Sequence, residues 1–146
     1  MTERPEPYHH GNLKAALLDA AFKVIVKTGL SGVTLREIAR QAGVSHNAPY
    51  RHFSSKEDLI AALATVSLQQ LTEGVREAVG RETGAEERLV AAARAYLGFA
   101  LDYPDRFNLT FHAAFEREQH AEYVKSYTVS LTLLSDLIRD CAGPGV

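Results

Sequence analysis

The side chains that could recognise another molecule are concentrated in a stretch of twenty residues, Thr34 to Phe53, which reads TLREIARQAGVSHNAPYRHF. Short or polar side chains occupy positions 45–48, and they include Asn47, a residue type that pairs with adenine through two hydrogen bonds. Donors suited to phosphate oxygens follow at Tyr50, Arg51, His52 and Lys56. This combination is typical of a surface that reads base edges and holds the DNA backbone.

The same stretch carries the signals of two helices that meet at a tight turn. Thr34 and Glu37 have the spacing of a capping box, which predicts a second helix from Thr34 to about Ala42. Gly43 can adopt a positive φ angle and ends that helix. Ser45 is placed to cap a third helix from about His46 to Phe53. A bracing helix, a turn and an exposed helix are the parts of a helix-turn-helix.

Spacings of three and four between apolar residues dominate the rest of the chain and predict an all-α protein. The first helix has one apolar face and is expected to be capped by Asn12 and ended by Gly29; the face comprises Leu13, Leu17, Ala20, Val24 and Thr28. The capping signal at residues 55–58 predicts a long fourth helix that runs towards Val79, before a polar hinge at 80–84.

Three more helices are predicted after the hinge. The fifth has Leu89, Ala93, Tyr96 and Ala100 on one side. The sixth begins at Pro104, since proline is tolerated in a first turn, and carries Phe107, Leu109, Phe111 and Phe115. The seventh ends at Gly143 and has an apolar stripe of Tyr123, Tyr127, Leu131, Leu134 and Ile138.

Composition restricts the class of protein. The chain has 146 residues and a net charge of −2, and its lone cysteine, Cys141, excludes an internal disulfide and fits a reducing, cytoplasmic location. The chain has no run of about 18 apolar residues, so we predict no membrane span. Residues 1–60 contain eight Lys and Arg residues and six Asp and Glu residues, so this part is mildly basic. Residues 61–146 contain eight Lys and Arg residues and twelve Asp and Glu residues, so this part is acidic. No nucleophile with a base, paired carboxylates or metal-ligand cluster is evident, so we expect no enzyme, cofactor or metal.

Residues 9–66 resemble the DNA-binding head of the TetR/AcrR family of transcriptional regulators. The matching pieces are the helix ending at Gly29, residues 34–42, the turn at 43–45, and Tyr50-Arg51-His52-Phe53 followed by residues 55–59. Residues 9–13, 48–50 and 103–107 further resemble a branch whose C-terminal domain is named for a Trp-His-Gly signature, although that tripeptide is absent. Most family members have Leu or Ile at the position of Pro49. Because proline stands here instead, the recognition helix is expected either to start later or to lie at a slightly different angle.

The resemblance implies a helix-turn-helix domain at 1–57 and a helical ligand-binding and dimerisation domain at 58–146. It implies base contacts from Arg36, His46, Asn47 and Tyr50, and phosphate contacts from Thr34, Ser45, Tyr50, His52 and Lys56. The implied protein is a homodimeric repressor that binds double-stranded DNA at a palindromic operator and responds to a small-molecule effector.

The effector pocket is expected among aromatic residues of the second domain. The candidates are Tyr96, Phe99, Tyr103, Phe107, Phe111, His112, Phe115 and Tyr127, with Leu131 opposite. Family members usually continue for two further helices that form the dimer interface, so the second domain is expected to be incomplete. The alternative interpretation is a helical protein-interaction module that does not bind an operator.

Overall fold

A computed structural model describes residues 12–111 and 115–143 of the chain. All regular secondary structure in these two ranges is helical, which confirms the all-α prediction. The six α-helices are α1 (Leu13–Thr28), α2 (Leu35–Ala42), α3 (Lys56–Val79), α4 (Ala85–Asp102), α5 (Pro104–Phe111) and α6 (Ala121–Ala142). Three short 3₁₀ turns lie at Leu30–Gly32, Ala48–Arg51 and Arg117–Gln119.

The chain divides into two compact units inside α3. The first unit, here called the head, ends at Leu59, and the second, here called the body, begins at Ile60. The sequence placed the boundary between residues 57 and 58, near the start of the same helix. The roles assigned to the two domains stay predictions at this point.

In the head, α1 packs against α2. The expected apolar face of α1 is buried at Leu17, Ala20 and Val24, while Thr28 is exposed. Four neighbouring residues are buried as well: Leu18, Ala21, Phe22 and Ile25. A helix that is buried on more than one side needs more than a single apolar stripe. At its ends, Asn12 makes no side-chain cap, and Gly29 closes the helix at φ 71° with its N–H 2.8 Å from the Ile25 carbonyl oxygen.

In the body, α4 packs against α5 and α6. A small apolar cluster joins α3, α4 and α6 through Val79, Ala92 and Leu137. Most of the predicted stripe of α6 is not part of the core, because Leu131, Leu134 and Ile138 are 46 to 49 % exposed. The buried residues of α6 are Tyr123, Ser126 and Leu137. The helix is therefore rotated so that position 137, rather than 134 or 138, meets the partners on α3 and α4.

The sixth predicted helix is too long. α5 ends at Phe111, and Phe115 lies beyond it, outside any helix. Phe115 is nevertheless buried, because its ring packs edge-on against Tyr123 and His120, with centroids 5.0 and 5.3 Å away. Its burial therefore comes from contacts around the start of α6 and does not require a continuous helix from Pro104. Within the described residues, no helix is long and apolar enough to cross a membrane.

Candidate nucleic-acid interface and ligand cavity

The start of α2 is fixed by half of the predicted capping box. The Thr34 hydroxyl accepts a hydrogen bond from the Glu37 N–H at 3.1 Å. The Glu37 carboxylate does not return the bond but pairs with the Arg40 guanidinium, at 2.9 Å from Nε and 2.5 Å from Nη2. The hydrogen bond from Arg40 holds the pKa of Glu37 below its usual value. The Thr34 hydroxyl keeps its own proton, which it can donate to a phosphate oxygen.

The turn after α2 has the geometry that the sequence predicted. Gly43 lies in the left-handed region, at φ 69° and ψ 29°. Its N–H is 3.2 Å from the Arg40 carbonyl oxygen, and the Val44 N–H is 3.0 Å from that of Ala39. These two bonds form a Schellman motif, which satisfies carbonyl groups at the helix end and redirects the chain.

The predicted third α-helix, 46–53, is absent. Residues 46 and 47 form a turn, and only Ala48–Arg51 is helical, as a 3₁₀ turn that no side chain caps. Pro49 explains the difference, because it has no N–H for an α-helical bond and restricts the residue before it. Pro49 is buried, and its carbonyl oxygen accepts from the N–H groups of His52 and Phe53 at 3.0 and 2.9 Å. The recognition segment is therefore a tight turn anchored by an apolar ring.

All eight residues predicted to contact DNA are exposed on the head. They are Thr34, Arg36, Ser45, His46, Asn47, Tyr50, His52 and Lys56. Apolar side chains lie between these residues in the sequence and are buried, so they form the scaffold of the head. They are Leu35, Ile38, Ala39, Pro49 and Phe53. Tyr50 is 59 % exposed although it is a large aromatic residue. The division places polar donors outside and apolar residues inside; contact with DNA itself stays a prediction.

Lys56 is tied to the segment that leads into α2. Its ammonium donates to the Leu30 carbonyl oxygen at 3.3 Å, a contact between residues 26 positions apart. The helix that begins at Lys56 is capped by Ser55, whose hydroxyl accepts from the Asp58 N–H at 3.1 Å. Two neighbouring helix starts, those of α2 and α3, are thus held on the same unit. Helix starts present free N–H groups and a partial positive charge, which favour phosphate.

The body contains a cavity of about 430 Å³ between α3, α4 and α6. Its wall is mostly aliphatic and has no charged side chain among the following residues: Leu68, Leu71, Thr72, Val75, Leu89, Ala92, Ala93, Tyr96, Leu97, Phe111, Tyr127, Ser130, Leu131, Leu133, Leu134 and Leu137. A volume of this size and an apolar wall are typical of a small-molecule site.

The structure brings three of the eight predicted pocket residues to the cavity wall, namely Tyr96, Phe111 and Tyr127. Leu131, expected opposite them, also lines it. Four others do not line it, namely Phe99, Tyr103, Phe107 and Phe115, and His112 lies outside the described residues.

Eight leucines make up half of the sixteen lining residues, and the sequence predicted only Leu131 of these for the pocket. No residue of α3 was predicted to line the pocket, since spacing alone does not separate a residue that packs from one that faces an opening. Phe107 supports the wall from behind, because its ring lies 5.3 Å from Tyr96 and 4.9 Å from Phe111. Partial burial raises the pKa of the Tyr96 phenol above its usual value.

Comparison with known proteins relates the head to a family of bacterial DNA-binding regulators. Residues 17–63 match the family described as bacterial regulatory proteins, tetR family. The HTH-type transcriptional activator FasR of Mycolicibacterium smegmatis is 36 % identical over 132 residues, which are 89 % of this chain and 60 % of that protein. The chain therefore spans about three fifths of this curated relative.

Two solved structures extend the comparison to the body. A protein of unknown function from Rhodococcus sp. RHA1 aligns with a TM-score of 0.83 at 34 % identity, covering 97 % of this chain and 76 % of that one. The transcriptional regulator FadR from Bacillus subtilis, in complex with stearoyl-CoA, aligns with a TM-score of 0.68 at 22 % identity, covering 84 % and 67 %. The second likeness is one of fold.

Proposed function

Because this chain belongs to the TetR family of bacterial regulatory proteins, we propose that it binds a near-palindromic operator as a homodimer and releases it when a small molecule enters the body. The observation that carries the proposal is the exposure of every predicted DNA-contacting residue on a scaffold whose apolar residues are buried. The two faces of a helix-turn-helix need this division, since one packs and the other enters the major groove.

Base reading is assigned to the turn at 46–50 and to the start of α2. His46 and Asn47 are exposed immediately before the 3₁₀ turn, so their polar side chains are available to base edges. Arg36, exposed in the first turn of α2, is suited to guanine, whose two acceptors match its paired donors. Because the recognition segment is a short turn, we propose that few bases are read and that phosphate contacts supply much of the affinity.

Dimerisation is proposed because a single head reads only one half-site. The body exposes apolar side chains that a second copy could cover, at Leu101 of α4 and Ile138 of α6. Three further exposed leucines, Leu97, Leu131 and Leu134, also line the cavity. Leu101 is 81 % exposed, an unusual position for an aliphatic side chain, and contiguous exposed apolar surface marks interaction sites. Sedimentation equilibrium of the free protein tests this step directly, and a mass of one chain at micromolar concentration contradicts it.

The effector is proposed to occupy the cavity of the body. Its apolar wall supports a ligand with substantial hydrocarbon surface, and FadR from Bacillus subtilis, a protein of similar fold, was solved in complex with stearoyl-CoA. A ligand that binds better to one spacing of the two heads shifts the population towards it. We propose that the bound form no longer matches successive major grooves, about 34–36 Å apart.

The decisive experiment measures fluorescence anisotropy with a labelled duplex from around the protein's own gene and with a scrambled duplex. We expect affinity for the native duplex well above that for the scrambled one, falling steeply with salt. Asn47→Ala should reduce that preference about tenfold, the value of a good base contact, without changing binding to the scrambled duplex. Asn108→Ala is the matched control, because Asn108 is exposed on α5 of the body.

The outcome also separates the second candidate function. No binding to either duplex at low salt would contradict operator binding and favour a helical protein-interaction module, for which the exposed apolar side chains of the body are the supporting observation. The direction of regulation is proposed as repression, since an occupied operator blocks other proteins. The relative FasR is named an activator, and a reporter whose output falls in a deletion strain would assign activation here too.

A further inference from the structure

A cationic side chain contacts two residues of the cavity wall without lining the cavity itself. The Arg117 guanidinium, in the turn before α6, donates from Nη2 to the Phe111 carbonyl oxygen at 2.8 Å. It lies over the rings of Tyr123 and Tyr127, 5.7 and 5.8 Å from their centroids. Phe111 and Tyr127 both line the cavity, so Arg117 is separated from its interior by one layer of side chains.

The Arg117 side chain is held in place, although only some of its N–H donors make hydrogen bonds with described residues. Its contacts with other described residues are one carbonyl oxygen and two aromatic faces, and none of those residues offers it a carboxylate. A guanidinium has five N–H donors in a rigid plane, and stacking on aromatic rings holds that plane in place. Tyr123 is itself held, because its hydroxyl donates to the Thr110 carbonyl oxygen at 2.8 Å.

The wall of the cavity restricts where a charge on a ligand can be. The sixteen lining residues include no ionisable side chain apart from the phenols of Tyr96 and Tyr127. An ion placed against such a wall loses its hydration without compensation. The charged group of a ligand is therefore expected outside the apolar wall, and Arg117, next to Phe111 and Tyr127, is a cation that can meet it with charge-assisted hydrogen bonds.

We propose that the body binds an amphipathic anion, with its apolar part in the cavity and a negatively charged head held by Arg117. This inference rests on the proposed effector site and names the chemistry of its ligand. The charge can come from a free carboxylate or from the phosphates of an acyl thioester, and both share an apolar chain and an anionic head. Arg117 is the residue that selects the head, while the leucines of α3, α4 and α6 select the chain.

Isothermal titration of the full chain with dodecanoate, dodecanol and dodecanoyl-coenzyme A tests the inference. We expect the anionic ligands to bind at least tenfold more tightly than the alcohol. Arg117→Gln should remove that preference and leave dodecanol binding unchanged, which also shows that the variant is folded. Arg139→Gln is the matched control, because Arg139 is exposed near the other end of α6 and pairs with Asp136. Decanoate should bind about sixteenfold more weakly than dodecanoate, about fourfold for each methylene.

Each result has a distinct meaning. Equal binding of dodecanoate and dodecanol, or a preference that survives Arg117→Gln, would overturn the role of Arg117 while the effector site stands. No binding of any of the three would overturn both the ligand class and its site, whereas operator binding by the head is measured separately. A dodecanoyl-coenzyme A affinity far above that of dodecanoate, lost in Arg117→Gln, would identify the phosphorylated source of the charge.

Discussion

The salt dependence of DNA binding should report both the phosphate contact of Lys56 and the number of heads on the DNA. The Lys56 ammonium is exposed at the start of α3 and is positioned by its 3.3 Å contact with the Leu30 carbonyl oxygen. Lys56→Gln removes one positive charge from each head. Since the lost hydrogen bond is exposed, its cost to the free energy of unfolding should not exceed about 1 kcal/mol.

The magnitude follows from counterion release. Each phosphate neutralised by a cation contributes about 0.9 to the slope of log affinity against log salt concentration. One bound head therefore predicts a slope that is less steep by about 0.9 in Lys56→Gln, and two bound heads predict about 1.8. When the salt concentration rises fourfold, from about 50 to 200 mM, the affinity of the wild type should fall more than that of Lys56→Gln. The extra loss is about 3.5-fold if one head is bound to the duplex and about 12-fold if two heads are bound.

The assay is the anisotropy titration on the native duplex at four or five salt concentrations. Lys125→Gln is the matched control, because it removes the same charge from an exposed position on α6 of the body. Its slope should equal that of the wild type. Equal slopes for Lys56→Gln and the wild type would refute the phosphate contact. Equal changes in both variants would show that net charge, rather than a local contact, governs the salt dependence.

Three further predictions concern stability and can be measured by urea unfolding. Gly43→Ala should lower the free energy of unfolding by about 1 kcal/mol, because φ is +69° although a Cβ would meet nothing within 4 Å. Gly74→Ala on α3, where a Cβ also meets nothing within 4 Å, should raise the free energy of unfolding by about 0.5–1 kcal/mol. If both substitutions changed the free energy of unfolding in the same direction, the positive φ angle of Gly43 would not explain its effect. Thr34→Ala should cost about 1 kcal/mol through loss of the α2 cap, and Thr34→Ser should restore most of it. Tyr123→Phe should cost about 1 kcal/mol by leaving the Thr110 carbonyl oxygen without its phenol donor, and unchanged stability would contradict a net contribution from that bond.

The sequence predicted the start and the end of α2 correctly because the signals for both are local. The Thr34 cap and the Gly43 turn depend on residues within five positions of each other, and the structure confirms both. The exposure of the predicted DNA-contacting residues also follows from local spacing, since apolar residues at 35, 38 and 39 must face inwards on one helix. The third helix was predicted wrongly because the effect of Pro49 on hydrogen bonding was given too little weight.

The body shows what local spacing cannot decide. Apolar residues are frequent on every side of α6, so several stripes three and four residues apart satisfy the same pattern. The rotation of the helix was decided by its partners, because Leu137 reaches the cluster with Val79 and Ala92 while Leu134 stays half exposed. The same applies to the cavity, where an aromatic residue packs behind the wall or lines it according to the placement of three separate helices.

The sequence by itself therefore indicated the family and determined the helical class, the Thr34 cap, the Gly43 turn and the polar surface of the head, because these depend on residues close together along the chain. The tertiary structure decided which side chains line the cavity, which face of α6 is buried, and that Arg117 lies over Tyr123 and Tyr127. These features depend on how helices distant in sequence pack against one another. A residue's type and spacing do not contain that information, because a buried side chain, a cavity wall and an exposed apolar face can share one periodicity.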